Sequence, residues 1–291
     1  MTERVVVFDC CGESLVGILH EPDATRHDLA VLVVVGGPQY RVGSHRQFVL
    51  MSRMLSDVGY PVLRFDHRGM GDSTGLQRSF DSVDDDIRAA IDALSAEIRG
   101  LRGMVIFGLC DAASAALIYG CSDPRVVGLV LANPWVRTDV GRARTQVRHY
   151  YGQRLLTGSF WRKVMSGKFN PLDSLDSFVR AVLRAFGGAA RIASDRPGTY
   201  IDQMLIGLAG YVRMGRPVLL LMSESDLTAR EFDDLCHSSS AWREQISATN
   251  VSRVDLPEAD HTFSSAKSLE TATAAVLAWL TQYVATGLSP R

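Results

Sequence analysis

No stretch of this sequence approaches the roughly 18 consecutive apolar residues that a membrane-spanning helix needs. Its start, Met1-Thr2-Glu3-Arg4, leads directly into Val5-Val6-Val7 without the pattern of a secretory leader. Both absences lead to the expectation of a cytoplasmic protein. Cysteine is sparse as well. The five (Cys10, Cys11, Cys110, Cys121, Cys236) are odd in number and lack the spacing of a metal site, and Cys10 and Cys11 are adjacent and cannot form an ordinary bridge. A single reactive thiol in a reducing compartment is the simpler expectation. Repeats and low-complexity tracts are missing, and no nucleic-acid-binding motif accompanies the charge. The expectation is therefore no metal, no cofactor, no nucleic acid and no transmembrane segment.

What is present suits a protein with a sizeable core. The apolar fraction is 46% over 291 residues, enough for one large domain or for a domain carrying an insertion. Net charge is only -1, but it is unevenly spread. Residues 136–215 hold 13 Lys/Arg against 5 Asp/Glu, so an acidic body carries a basic insert.

Taken in order, Val5 to Phe8 and Leu15 to Leu19 read as an antiparallel edge joined by a turn. Leu29 to Val35 is the continuous valine-rich run of a strand buried on both faces. It stops at Gly36-Gly37-Pro38-Gln39. A helix over Phe48 to Val58, a strand over Pro61 to Phe65 and a helix over Ser82 to Arg99 follow, with Asp84, Asp85 and Asp86 where carboxylates favour a helix N-terminus. Strands at Val126 to Ala132, Pro217 to Met222 and Val251 to Leu256, and helices near Glu231 to Leu235 and over Ser268 to Val284, complete an alternation that predicts a mostly parallel, doubly wound α/β sheet. Between Asp139 and Met214 only helical segments are predicted. The domains expected are thus a core of 1–135 and 216–291 and a helical cap or lid over 136–215.

The chain is organised around Gly103 to Gly120, a short apolar run turning sharply at Cys110 into a small-residue helix. Gly108 and Ala112, two residues either side, are small enough for strand and helix to approach. That is the G-x-S-x-G nucleophile elbow, with cysteine as the displayed side chain and alanine in the last place. Such a nucleophile requires an acid and then a histidine after the last two strands. Ser223-Glu224-Ser225-Asp226 and Pro257-Glu258-Ala259-Asp260-His261 supply them. The expected triad is Cys110, Asp226 and His261, with Glu224 and Asp260 as competing acids and Ser114 as a rival nucleophile. The oxyanion donors would be the Asp111 backbone N–H and one from the glycine loop. Pro38 has no N–H, so the second falls to Gly37 or Gln39. His45, Arg46, Trp135 and, in the cap, Arg148 are candidate substrate contacts.

The stretches 36–48 (GGPQYRVGSHRQF), 65–73 (FDHRGMGDS), 108–115 (GLCDAASA) and 133–138 (NPWVRT) resemble the exosortase A system-associated hydrolases, type 1, a branch of the α/β-hydrolase superfamily. The resemblance spans nearly the whole chain. It implies the α/β-hydrolase fold and a bacterial cytoplasmic protein linked to exopolysaccharide production and protein sorting, without naming a substrate. Together the residues predict a cysteine-dependent esterase, thioesterase or acyltransferase acting on a small-molecule or carrier-bound acyl substrate, with an anionic one suited to the basic insert. The alternatives are a dienelactone-type lactone hydrolase and a catalytically silent scaffold of the same fold. Oligomeric state is left open, a dimer included.

Overall fold

A strand covered on both faces must be apolar almost throughout, and Leu29–Val34, Gly103–Leu109, Val126–Ala132 and Val218–Ser223 satisfy that requirement. A computed structural model of the chain describes residues 1–24, 27–37, 39–136 and 199–285. In it these four runs are fully buried. They form β3, β5, β6 and β7 of an eight-stranded sheet, with β1 (Thr2–Cys10), β2 (Glu13–Glu21), β4 (Val62–Phe65) and β8 (Val251–Leu256). The strand order is β1-β2-β4-β3-β5-β6-β7-β8. β1 and β2 pair antiparallel, as do β2 and β4; every other pair is parallel. This is the α/β-hydrolase fold. Parallel strands bring all their C-terminal ends to one edge of the sheet, so loops far apart in sequence meet there.

Six of the helices fall close to the sequence-predicted places or pack directly on the sheet: α1 (Gln47–Asp57), α2 (Asp84–Glu97), α3 (Asp111–Gly120), α4 (Tyr200–Arg213), α5 (Leu227–Ser238) and α7 (Ala266–Ala285). α6 (Ser240–Ile246) was not foreseen. Two turns are too short for periodicity to register, and its anchor is a single residue, Trp242, buried edge-on against Phe232 at 5.6 Å. α1 and α7 share one core with the strands: Phe48, Met51 and Leu55 meet Val276, Trp279 and Leu280 around Val33, Phe107 and Val130.

The chain divides into two compact units, Met1–Trp135 with Ser194–Arg291, and Val136–Ala193. Helix α4, which the sequence reading placed in the insert of 136–215, falls in the first unit. It packs along α3, where buried Tyr211 donates its hydroxyl to the Gly120 carbonyl at 3.3 Å, and to the start of β6 at the Val126 carbonyl at 3.0 Å. The helices expected within 140–186, and Arg148 with them, lie outside the described residues. Among the described residues no helix is long and apolar enough to cross a membrane.

Candidate active site

The end of β5 runs into α3 through one residue, Cys110, at φ 63° and ψ -124°. A non-glycine residue there is strained, and such strain persists only where the surroundings impose it. Here they do. The Cys110 N–H donates to the Ala132 carbonyl at 2.9 Å, and its own carbonyl accepts from Ala113 at 3.1 Å and Trp135 at 3.2 Å. Gly108 has no room for a side chain: a Cβ would lie 2.5 Å from the Ala112 carbonyl oxygen and 2.7 Å from the Ala113 nitrogen. Strand and helix thus touch through backbone, and Cys110 is left half-buried at the turn.

Asp226 follows β7 as the N-cap of α5. Its carboxylate accepts the N–H groups of Thr228 at 3.1 Å and Ala229 at 3.3 Å, which fixes its orientation. It is also hydrogen-bonded to Nδ1 of His261 at 2.8 Å. The other face of that histidine meets Cys110. The Asp226 bond first, and the Cys110 thiol second, push the His261 imidazole up to about 10, against the opposing effect of burial. Three side chains from three separate loops are therefore brought together.

The rival acids do not join it. Glu224 is exposed, and Asp260 spends its carboxylate on the N–H groups of Thr262 at 3.3 Å and Ser264 at 2.9 Å. Ser114, the rival nucleophile, is buried and donates to the Trp135 carbonyl at 2.7 Å. Trp135 is tied by its backbone to Cys110 and is half-buried beside it. His45 and Arg46 are exposed and both left-handed, at φ 54° and 61°. His45 comes near enough to Asp260, next to His261, to interact with it electrostatically.

One contributor escaped sequence reasoning. Asn133, buried at φ 45° just past β6, accepts the Ser223 N–H at 2.8 Å and donates to Ser223 Oγ at 3.0 Å and the His261 carbonyl at 3.4 Å. It pins the ends of β6 and β7 to the histidine loop. Its only sequence signal is its place after a strand, before Pro134.

The loop after β4 braces the glycine loop from behind. Buried His67 is hydrogen-bonded through Nε2 to the Val35 carbonyl at 3.0 Å, and the Asp66 carboxylate accepts the Arg41 N–H at 2.6 Å. Arg68 is buried against Asp86 of α2, donating from its guanidinium at 2.7 to 3.2 Å and from its backbone at 2.8 Å. The glycine loop itself holds a further contact. The Gly37 N–H, one of the two amides the sequence left open as second donor, points to Asp111 Oδ2 at 2.9 Å. Gln39 uses its side chain within the loop, accepting the Ser44 N–H at 3.2 Å.

These features decide the family, and a family model for the alpha/beta hydrolases matches residues 31–276. The chain belongs to the alpha/beta hydrolase family. Solved structures similar to it include an esterase of Pyrococcus furiosus, 18% identical, with a TM-score of 0.61 over 97% of this chain and 91% of that one. Another is Est1E of Butyrivibrio proteoclasticus with ferulic acid bound, 17% identical, with a TM-score of 0.60 over 96% and 99%. A third is a proline iminopeptidase of Mycobacterium smegmatis, 16% identical, with a TM-score of 0.62 over 98% and 100%. At these identities the likeness is one of fold. No curated protein matches the sequence significantly. Among the described residues no group of three or more His, Cys, Asp or Glu side chains could hold a metal ion.

Proposed function

We propose that this hydrolase-family protein is a cysteine-dependent acyl hydrolase or acyltransferase, with Cys110 as nucleophile, His261 as general base and then acid, and Asp226 orienting the imidazole. The observation that carries the reading is the line Cys110–His261–Asp226, with the thiol displayed on a strained elbow and the acid clamped by a helix N-terminus. His261 takes the thiol proton. The thiolate attacks an ester, thioester or lactone carbonyl carbon, and the carbonyl electron pair moves onto oxygen. The Asp111 backbone N–H and a second amide from the Gly37 to Gln39 loop would hold that oxyanion, each such donor contributing about 3 kcal/mol. Collapse expels the alcohol or thiol, which takes the proton from His261. Water or another acceptor, deprotonated by His261, then attacks the thioester and returns the thiol. Every proton and electron pair is accounted for by these side chains, the substrate and the acceptor.

Ester-type chemistry also suits the fold relatives, one an esterase and one holding ferulic acid. The link to exopolysaccharide and exosortase systems in a bacterial cytoplasm rests on the sequence resemblance alone. An anionic or carrier-bound acyl group is suggested by the basic residues of 136–215, Arg148 among them. His45, Arg46 and Trp135 are the substrate contacts proposed from the described residues.

The test is intact-mass detection of an acyl adduct after incubation with a panel of esters, acyl thioesters and lactones. An adduct mapped to Cys110 and absent in Cys110→Ala is the expected result. Adducts that persist in that variant, on any other residue, refute the assignment, and turnover of lactones alone would narrow the class to lactone hydrolysis.

A further inference from the structure

The residue after the nucleophile usually matters through its backbone N–H. In this chain its side chain is in the way. Asp111 folds back over the elbow so that Oδ2 accepts the Gly37 N–H at 2.9 Å. The amides of Asp111 itself and of Ala112 also draw on the carboxylate, and His261 interacts with it across the site. Oδ1 is buried without a hydrogen-bond partner. It sits so close under the loop that a Cβ at Gly36 would collide with it. The Gly37 N–H that this carboxylate holds is one of the three candidate amides for an oxyanion. A carboxylate is the strongest acceptor the protein can place there, and charge-assisted hydrogen bonds are about twice as strong as neutral ones.

We propose that Asp111 is a specificity-determining residue whose carboxylate occupies the oxyanion hole of the resting protein and must be displaced before a carbonyl oxygen can enter. The proposal rests on the reading of Cys110 as the nucleophile. Burial raises the Asp111 carboxyl above the ordinary carboxylate range, while the bonds from Gly37, Ala112 and its own N–H oppose that rise, so the seat is one of competing forces. A substrate that contacts only the reacting centre has nothing with which to offset the displacement. One that binds through further groups does, because remote binding energy can be spent on reorganising the site. Asp111 therefore discriminates against small activated esters and in favour of larger acyl donors.

The experiment compares two reactions of one sulfur. Iodoacetamide alkylates Cys110 by direct displacement of iodide at carbon and needs no oxyanion hole. p-Nitrophenyl acetate acylates it through a tetrahedral oxyanion whose collapse breaks the C–O bond and releases p-nitrophenolate with the electron pair. Both rates are read at Cys110 by peptide mass mapping, and the ratio of acylation to alkylation cancels general effects on the thiol. In Asp111→Ala that ratio should rise roughly 10- to 100-fold, the equivalent of one charge-assisted hydrogen bond no longer broken. Asp111→Asn keeps the shape and an uncharged acceptor for Gly37, and should rise less. A ratio that stays constant or falls in either folded variant overturns the proposal and makes Asp111 a brace for the loop. Alkylation at Cys110 together with ester turnover that survives Cys110→Ala would instead overturn the nucleophile assignment.

Discussion

Replacing Asp226 by Asn separates two jobs that one carboxylate performs. The side chain caps α5 through Thr228 and Ala229 and holds His261 at 2.8 Å. Asparagine is as good an N-cap as aspartate, so the helix start should survive, whereas Asp226→Ala would also lose about 1 kcal/mol of capping. What Asp226→Asn removes is the charge. The hydrogen bond to that carboxylate is the first cause of the rise of His261 from an ordinary 6.5 to about 10, and the charge adds to it. The titration of His261, followed by NMR of ring-labelled protein, should therefore move down from about 10, toward the ordinary value. Because the folded-state value is raised, the interaction stabilises the fold fully below about pH 6.5 and is lost as pH climbs through about 10. The stability difference between native protein and variant should be largest in acid to neutral solution and shrink toward pH 10. The whole shift corresponds to at most about 5 kcal/mol, reduced by water screening of a ring whose side chain is 33% exposed. Urea unfolding at a series of pH values measures it. A His261 that still titrates near 10 in Asp226→Asn, or a stability gap that widens with pH, would refute this account of the site.

Other outcomes follow from the same contacts. Gly108→Ala places a methyl 2.5 Å from the backbone of the first turn of α3, which cannot yield without opening the elbow; stability should fall by about 1 to 3 kcal/mol, and acylation of Cys110 by roughly 100-fold if the thiol shifts by about 1 Å. Denaturant unfolding and adduct formation measure the two losses. Asp86→Ala leaves the buried Arg68 guanidinium facing only the more distant, half-exposed Asp85 carboxylate at 3.8 Å among the described residues, and should cost about 3 to 5 kcal/mol by thermal or urea unfolding. The Arg68→Met, Asp86→Leu double variant should recover much of that loss, because a buried pair replaced by apolar side chains no longer leaves a charge unpaired.

Much of the molecule was legible because the signals are local. A strand buried on both faces cannot hide its composition, so Leu29–Val34, Val126–Ala132 and Val218–Ser223 stand out in the sequence. A sharp turn between strand and helix leaves small residues at fixed offsets, which is how Gly108 and Ala112 mark Cys110. Asp226 and His261 follow strands, in the order the chemistry needs. Position after a strand could not separate Asp226 from Glu224 or Asp260. The N-cap of α5 and the 2.8 Å bond to His261 do so, and both depend on where helix and loop come to rest.

The sequence by itself determined that a cysteine would be displayed at the C-terminal edge of a parallel sheet, with a histidine and carboxylates on neighbouring loops. Periodicity, turn chemistry and chain order are written in consecutive residues. Only the tertiary structure decided that Asn133 ties the β6 and β7 ends to the His261 loop, that α4 packs with α3, and that the Asp111 carboxylate sits on the Gly37 amide. Those pairings join residues from 74 to 128 positions apart, or helices separated by the whole insert. No local pattern encodes which polar group meets which amide; that follows from burial, which leaves each such group to find whatever partner the folded chain brings within reach.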